Sequence, residues 1–377
     1  MHPLKHCRPL QAAAFGLAVI STLAFSGLFT RQPAPRYTVT DLGVLPGDTS
    51  SWANAINSRG EVVGNSFLHG GRWRAFLWRG GRMTFLGTLG GLESRAVAIS
   101  DSGDIAGDSL TLRSQQHAFL FHNGRMEDVS PHDASVSFSY AVDSSGQVCG
   151  ENYPTKGGHR ALFHRNSKAS TPPLPSAFTA SEPRGMNDRG QIVGKIVGNR
   201  IKPQWKAFFF DSRTGQMTTL PVVPPFTKAA ALAINNNGQT VGTAWNTNQP
   251  SLAEDTQHPG QHAVLWEEGR MTDLGVLPHF SSSSGMGLNN RGQVVGCCSQ
   301  EPNFLPDAIH RLLNHGTDPS HEEAFLYDTG RMMGLNSLIS TRSGWTLETA
   351  TGINDRGQIV GSGQHDGQQR AFLLTPR

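Results

Sequence analysis

Five histidines gather on or beside two long polar stretches, residues 243–261 and 297–323: His258, His262, His310, His315 and His321. Asp255, Asp307 and Asp318 accompany them, and Cys297 and Cys298 stand at the root of the second stretch. Imidazole, thiolate and carboxylate are the donors of a transition-metal centre. The spacing argues against one. Pro259 and Gly260 keep His258 and His262 off a common helical face. His310 and His315, five apart, diverge on a helix. There is no His-Glu-x-x-His and no Cys-x-x-Cys. We assign no metal ligand and no cofactor, and read these side chains as polar loop residues. Asp307–Asn314 has the pattern of a short amphipathic helix after Pro306, a lid or a docking element.

A second chemistry is glycoside cleavage, which needs two carboxylates facing each other. Asp48, Glu93, Asp133, Glu182, Glu254 and Glu348 fall in expected loops. Sequence gives no separations, so no catalytic residue is assigned. Nucleophile elbow, phosphate loop and dinucleotide fingerprint are all absent. A third chemistry is stacking. Trp52, Trp73, Trp205, Trp245 and Trp345 lie in expected loops or just before expected strands. Exposed indoles stack on sugars and other flat ligands; buried ones cover the gaps between neighbouring repeats. With His262 and His310 they form the candidate binding set.

The elements that must position these groups come from a repeat. Ala53–Gly64 reads small, any, small, apolar, Asn, two turn residues, Gly, polar, two apolar, Gly. Further copies are Ala96–Gly107, Ser139–Gly150, Pro183–Gly194, Ala231–Gly242, Gly285–Gly296 and Ala350–Gly361. Asn-x-x-Gly between apolar runs is a hairpin turn, with Gly supplying a left-handed residue after a type I turn. Five residues before the turn Gly stands a tiny residue in every copy, from Ala55 to Gly352. This predicts inner strands crowded about a common axis.

About eleven residues after most closing glycines comes a second hairpin, such as Ala75-Phe76-Leu77-Trp78 followed by Gly81-Arg82-Met83. Each unit is thus four short strands, a to d, recurring every 43 to 65 residues. That is the period of a β-propeller blade. The third repeat places Ala169 where others have Met, predicting a poorer outer strand. Cys149 takes a slot filled elsewhere by Val and reads as a core residue. The final repeat reaches Ala371–Leu374 without a strand d, while Thr40–Pro46 matches Thr272–Pro278, the strand d of repeat five, residue for residue. We expect an all-β, seven-bladed propeller of four-stranded antiparallel blades, closed by the N-terminal strand completing the last blade; an open stack of hairpins is the alternative.

Strand alternation puts the uniform a–b and c–d turns on one face and the b–c and d–a connections on the other. All length variation, including insertions at 243–261 and 297–323, falls on the second face. Function rides on variable loops over a rigid scaffold, so we place it there.

Residues 1–30 are a separate object. Lys5, His6 and Arg8 precede an apolar run from Ala12 to Phe29, and Ala24-Phe25-Ser26 offers a cleavage site. This predicts a signal peptide (residues 1–30), a linker (31–36) and one propeller domain (37–377), exported to the periplasm or beyond. An uncleaved anchor at residues 12–29 is the alternative, and then the only membrane contact. The chain has 32 Lys and Arg against 29 Asp and Glu, and two of the basic residues are in the leader. A near-neutral body excludes an electrostatic case for nucleic acid. The three cysteines beyond the leader are too few and too far apart for a disulfide framework.

The Ile-Asn-x-x-Gly-x-Val-Val-Gly pattern and the triplet His117-Ala118-Phe119, with His262-Ala263-Val264, Arg74-Ala75-Phe76 and Arg370-Ala371-Phe372, resemble the HAF-repeat family of bacterial extracellular repeat proteins. The resemblance spans about residues 37–376. It implies export and carries over no activity and no site residue. Three functions follow. The first is a non-catalytic scaffold binding a glycan or envelope protein on the variable face. The second is a secreted polysaccharide hydrolase or lyase using acids and histidines of the two insertions. The third is a structural envelope component.

Overall fold

In a computed structural model, the described residues are 36–155, 160–165, 168–170, 174, 178–198, 205–246, 260–300 and 322–377. Insertion residues 247–259 and 301–321, with His258, His310, His315, His321, Glu254 and the expected helix at 307–314, lie outside them. Among the described residues, no helix is long and apolar enough to cross a membrane.

Among the described residues, twenty-eight strands form seven antiparallel sheets of four. β1 (Tyr37–Asp41) comes first. Blade 1 is β2 to β5 (Asp48–Ile56, Val62–Leu68, Arg72–Arg79, Arg82–Phe85), and blade 2 is β6 to β9 (Gly90–Ile99, Ile105–Thr111, Gln116–His122, Arg125–Asp128). Blade 3 is β10 to β13 (Ala134–Val142, Val148–Pro154, Arg160–Arg165, Lys168–Ser170). β14 to β17 make blade 4 (Phe178–Met186, Gln191–Gly198, Trp205–Asp211, Gln216–Thr219). In blade 5, β18 to β21 are Lys228–Ile234, Thr240–Trp245, His262–Glu267 and Arg270–Gly275. In blade 6, β22 to β25 are Ser282–Leu288, Val294–Ser299, Glu322–Asp328 and Arg331–Gly334. Blade 7 combines β26 to β28 (Trp345–Ile353, Ile359–His365, Gln368–Pro376) with β1, which pairs with β28 from Tyr37–Pro376 to Asp41–Phe372. β13 has three residues, against four or more in the other outer strands, as the lost Gly-Arg-Met predicts.

The repeat motif has a physical cause at each position. All seven turn glycines have positive φ, from 71° at Gly190 to 97° at Gly103. Each inner strand carries a β-bulge three residues before the turn Asn (or its Ser and Asp counterparts), as between Ala53 and Ala55 or Ala231 and Ala233. Opposite each bulge lies the closing Gly. A Cβ on Gly64 would collide with the Trp52 carbonyl oxygen and stand 2.8 Å from Phe76. Phe76, Phe119, Phe208, Phe325 and Phe372 of the c strands are fully buried, and each contributes about 2–3 kcal/mol by leaving water.

The tiny inner residues are crowded, as the repeat suggested, and it is the neighbouring inner strand that crowds them. A Cβ on Gly185 would lie 2.9 Å from Ala233 Cα of the next inner strand. Two hydrogen-bonded ladders stitch the blades together. The Asn235 side chain accepts from the Asn237 and Gln239 amides, then donates to the Asn289 carbonyl of blade 6 at 2.9 Å. Asn57, Asn187, Asn289 and Asn354 donate across their junctions in the same way. The second ladder uses buried inner-strand serines. Ser51, Ser94, Ser137 and Ser283 accept from the Ala371, Ala75, Ala118 and Ala263 amides of the preceding blade.

Candidate functional site

The signature histidine is a clasp. His117 Nδ1 lies 2.7 Å from Asp128, and His262 Nδ1 lies 2.9 Å from both carboxylate oxygens of Asp273. Each pair ties the start of strand c to the later part of strand d. His365 and Asp41, 3.0 Å apart, tie blade 7 to β1 in a related way. Burial pushes the Asp273 carboxyl up, but hydrogen bonds from His262 and the Gly275 amide outweigh it and hold the pKa low. His262 therefore has a structural role that its candidacy as a binding residue did not foresee.

The five tryptophans lie within strands, not in loops, Trp52 in the middle of β2 and the other four at or next to strand ends, because the strands run further toward the variable face than the repeat core suggests. Trp52 and Trp73 meet edge to face at 5.1 Å, and the Arg95 guanidinium of blade 2 lies 5.5 Å from the Trp73 ring. Trp205 and Trp245 meet at 5.9 Å, with Lys228 Nζ 4.5 Å and Lys195 Nζ 5.9 Å from the Trp205 ring. Trp345 stacks on His365 at 4.5 Å. Trp245 is buried, while Trp52, Trp73, Trp205 and Trp345 keep part of their surface. So two tryptophan pairs form, each beside a cation, and Trp345 stands apart from both.

Of the six loop acids, Asp48, Glu93, Glu182 and Glu348 lie within inner strands, and only Asp133 is in a described turn. Asp48 is covered and ion-paired with Arg74 at 2.7 Å. Glu348 is a bulged residue of β26 between Leu347 and Thr349. Burial raises its pKa, with Glu322 adding repulsion and Gln364 and Gln369 opposing the rise. Burial likewise raises Glu322, which accepts from the Thr349 hydroxyl at 3.4 Å. Sequence reasoning passed over Glu322, since nothing in the linear pattern puts it beside Glu348. Asp108 of β7 is pushed up to about 6, chiefly by burial, with Glu93 adding repulsion against Arg95 and a hydrogen bond from Gln116.

Cys149, Cys297 and Cys298 are all buried, and none of the three is in a disulfide. Burial pushes Cys149 up to about 12 and Cys298 up to about 11, so neither offers a thiolate near neutral pH. Among the described residues no three His, Cys, Asp or Glu side chains are grouped to hold a metal. A cavity of about 180 Å³, open to solvent, lies on the other face, at the mouth ringed by the a–b turns. Ser58, Asp101, Asp188, Asn236, Asn290 and Asp355 are on its rim, above a floor that includes Ile56, Ile99 and Leu288. The sequence reading gave that face no cavity.

Comparison with known proteins matches this architecture and little else. Residues 224–373, blades 5 to 7, match the family described as a protein of unknown function, DUF3466. No curated protein matches the chain in sequence. An oligogalacturonate lyase from Vibrio parahaemolyticus is similar in structure, with a TM-score of 0.55 and 10% identity over 91% of this chain and 95% of the lyase. An oligogalacturonate lyase in complex with manganese gives a TM-score of 0.56 and 10% identity over 92% and 95% of the two chains. A prolyl endopeptidase gives 0.52 and 10% over 87% of this chain and half of the peptidase. At these identities the likeness is one of fold.

Proposed function

We propose that this chain is an exported, non-catalytic binding propeller of the HAF-repeat type, holding a glycan or an envelope protein on the face formed by the b–c and d–a connections. The observation that carries this reading is the placement of part-exposed indoles beside cations at that end of the strands, Trp73 with Arg95 and Trp205 with Lys228. A flat ring next to a guanidinium or ammonium group suits a hydroxylated ligand with an apolar face. In this reading β1 latches the ring, since its pairing with β28 leaves blade 7 without an open edge. The test is a glycan and envelope-protein binding screen of the full chain, repeated with Trp73→Ala and Trp205→Ala. Binding weakened at least tenfold by one substitution, with circular dichroism unchanged, is expected; full affinity in both variants would overturn the reading.

One observation favours a second reading, a secreted polysaccharide hydrolase or lyase. Glu322 and Glu348 are two carboxylates of adjacent blades, both shifted toward the protonated form at the root of the blade 6 insertion. Such a pair supplies a general acid and a general base. Release of unsaturated or reducing ends from polygalacturonate, abolished by Glu348→Gln, is the expected result. A wild-type chain that leaves the polymer intact would dismiss it.

A further inference from the structure

Seven repeats in one chain act as an internal alignment. A residue type present in every blade is demanded by the fold; a buried charge present in only some blades, such as Asp108 opposite Arg95 in blade 2, is not. Blade 4 departs most. Glu182 and Lys195 face each other across β14 and β15, 2.9 Å apart, with 7% of each side chain exposed. The bulged Arg184 lies 3.1 Å from Glu182 and 3.8 Å from Glu151 of blade 3, where the Tyr153 hydroxyl also donates at 3.1 Å. The equivalent positions are Ala230, Leu232 and Thr243 in blade 5 and Ser284, Met286 and Cys297 in blade 6. Those blades form the same sheet without a charge. Removing four ions from water is costly, and well-packed apolar residues commonly replace such clusters without loss of stability. The fold does not account for this cluster.

Arg184 also has a particular position. Other bulged residues reach across to the next inner strand: Asn54 donates to the Ala96 carbonyl and Thr351 to the Ala53 carbonyl. The bulged residues therefore follow one another round the ring. Arg184 spans its junction in the other sense, its guanidinium lying 4.2 Å from the ring of Tyr140, the bulged residue of blade 3. Two carboxylates and an aromatic ring fix the guanidinium plane, while 21% of the side chain stays exposed. Lys195 balances Glu182 from behind and leads on to the Trp205 platform. An oriented, part-exposed guanidinium is a receptor for a planar carboxylate.

We propose that Arg184 anchors the carboxylate of an acidic sugar of the uronate class, with Glu151, Glu182 and Tyr140 orienting it. This rests on the binding reading above and names its ligand class. The test is calorimetric titration of the full chain with trigalacturonate and with its neutral methyl ester. Wild type is expected to bind the acid and not the ester. Arg184→Leu should weaken binding at least tenfold, and Arg184→Lys should keep part of it. The triple variant Glu182→Ala, Arg184→Leu, Lys195→Thr gives blade 4 the residues of blade 5; it should lose binding and melt within a few degrees of wild type. A triple variant that fails to fold would show the cluster to be structural and overturn the inference. So would trigalacturonate binding that ignores Arg184→Leu, or none by wild type. Neutral-glycan binding removed by Trp73→Ala but untouched by Arg184→Leu would overturn the anchor and keep the face. Trigalacturonate binding lost in Arg184→Leu but intact in Trp73→Ala and Trp205→Ala would do the reverse.

Discussion

Replacing Asn289 tests whether the turn asparagines hold the ring together. Its side chain is buried and makes four hydrogen bonds: it accepts from the Arg291 and Gln293 amides at 3.1 Å each, and donates to Gln293 Oε1 at 2.8 Å and to the Asn354 carbonyl of blade 7 at 3.1 Å. At about 1 kcal/mol net for each bond, Asn289→Ala should cost about 4 kcal/mol. A body of roughly 340 residues has an unfolding entropy near 0.7 kcal/mol per degree, so the melting temperature should fall by about 6 °C. Asn289→Asp separates the contributions. It keeps both acceptor bonds, as Asp143 does naturally in blade 3 with the Ser145 and Gln147 amides, and loses both donor bonds. Its expected cost is about half, near 3 °C. Scanning calorimetry of the three proteins decides. An Ala variant melting within a degree of wild type would refute the ladder, and an Asp variant as damaged as Ala would refute its division into cap and cross-blade bond.

Deleting residues 37–46 removes β1 with the buried Tyr37, Leu42 and Leu45, so about 6 kcal/mol of burial is lost and the melt should drop by about 8 °C; an unchanged melt would sink the latch. Gly242→Ala drives a Cβ into the Ala230 carbonyl, whereas Gly269→Ala meets nothing within 4 Å and has only its positive φ to strain it. Circular dichroism and solubility should show the first misfolded and the second nearly native, at a cost of about 1 kcal/mol. Asp108 carries a folded pKa of about 6 against an ordinary 3.8. With the folded value raised, the unfolded chain gives up its proton first, so stability falls as pH rises from 3.8 to about 6, by about 3 kcal/mol. Melts at pH 4 and pH 7 should show that fall in wild type and lose it in Asp108→Asn.

The architecture was legible because its causes are local. A left-handed turn residue, a bulge facing a glycine and an alternation of period two are each written within twelve residues, and seven copies remove the ambiguity of one. The cross-blade contacts were less so. Ser51 accepts from the Ala371 amide, 320 positions away, and no periodicity announces that a serine bridges blades when other inner strands lack one there. The candidate site was least legible. Placing the tryptophans at the variable end needed only strand counting, but pairing Trp52 with Trp73 needed the twist of blade 1. Glu322 and Arg184 look ordinary in sequence, since burial and neighbours, not residue type, set them apart. His262 misled for the opposite reason: an imidazole beside an insertion suggests chemistry, and its partner Asp273 lies on the next strand.

The open mouth on the turn face is no stronger a candidate for its size. Its rim groups are already committed. The amides of Ser58, Ser144, Asp188, Asn236 and Asn290 each donate to the Asp or Asn side chain of the following blade, at 2.7–3.0 Å. A ligand there would compete with bonds that join blades, and any tightening around it would strain the ladder that Asn289 tests. The cavity is the hole a seven-membered ring leaves when its inner residues are small and its turns uniform. At the opposite ends of the same strands the residue types change from blade to blade, and there a side chain can be exchanged without opening the ring.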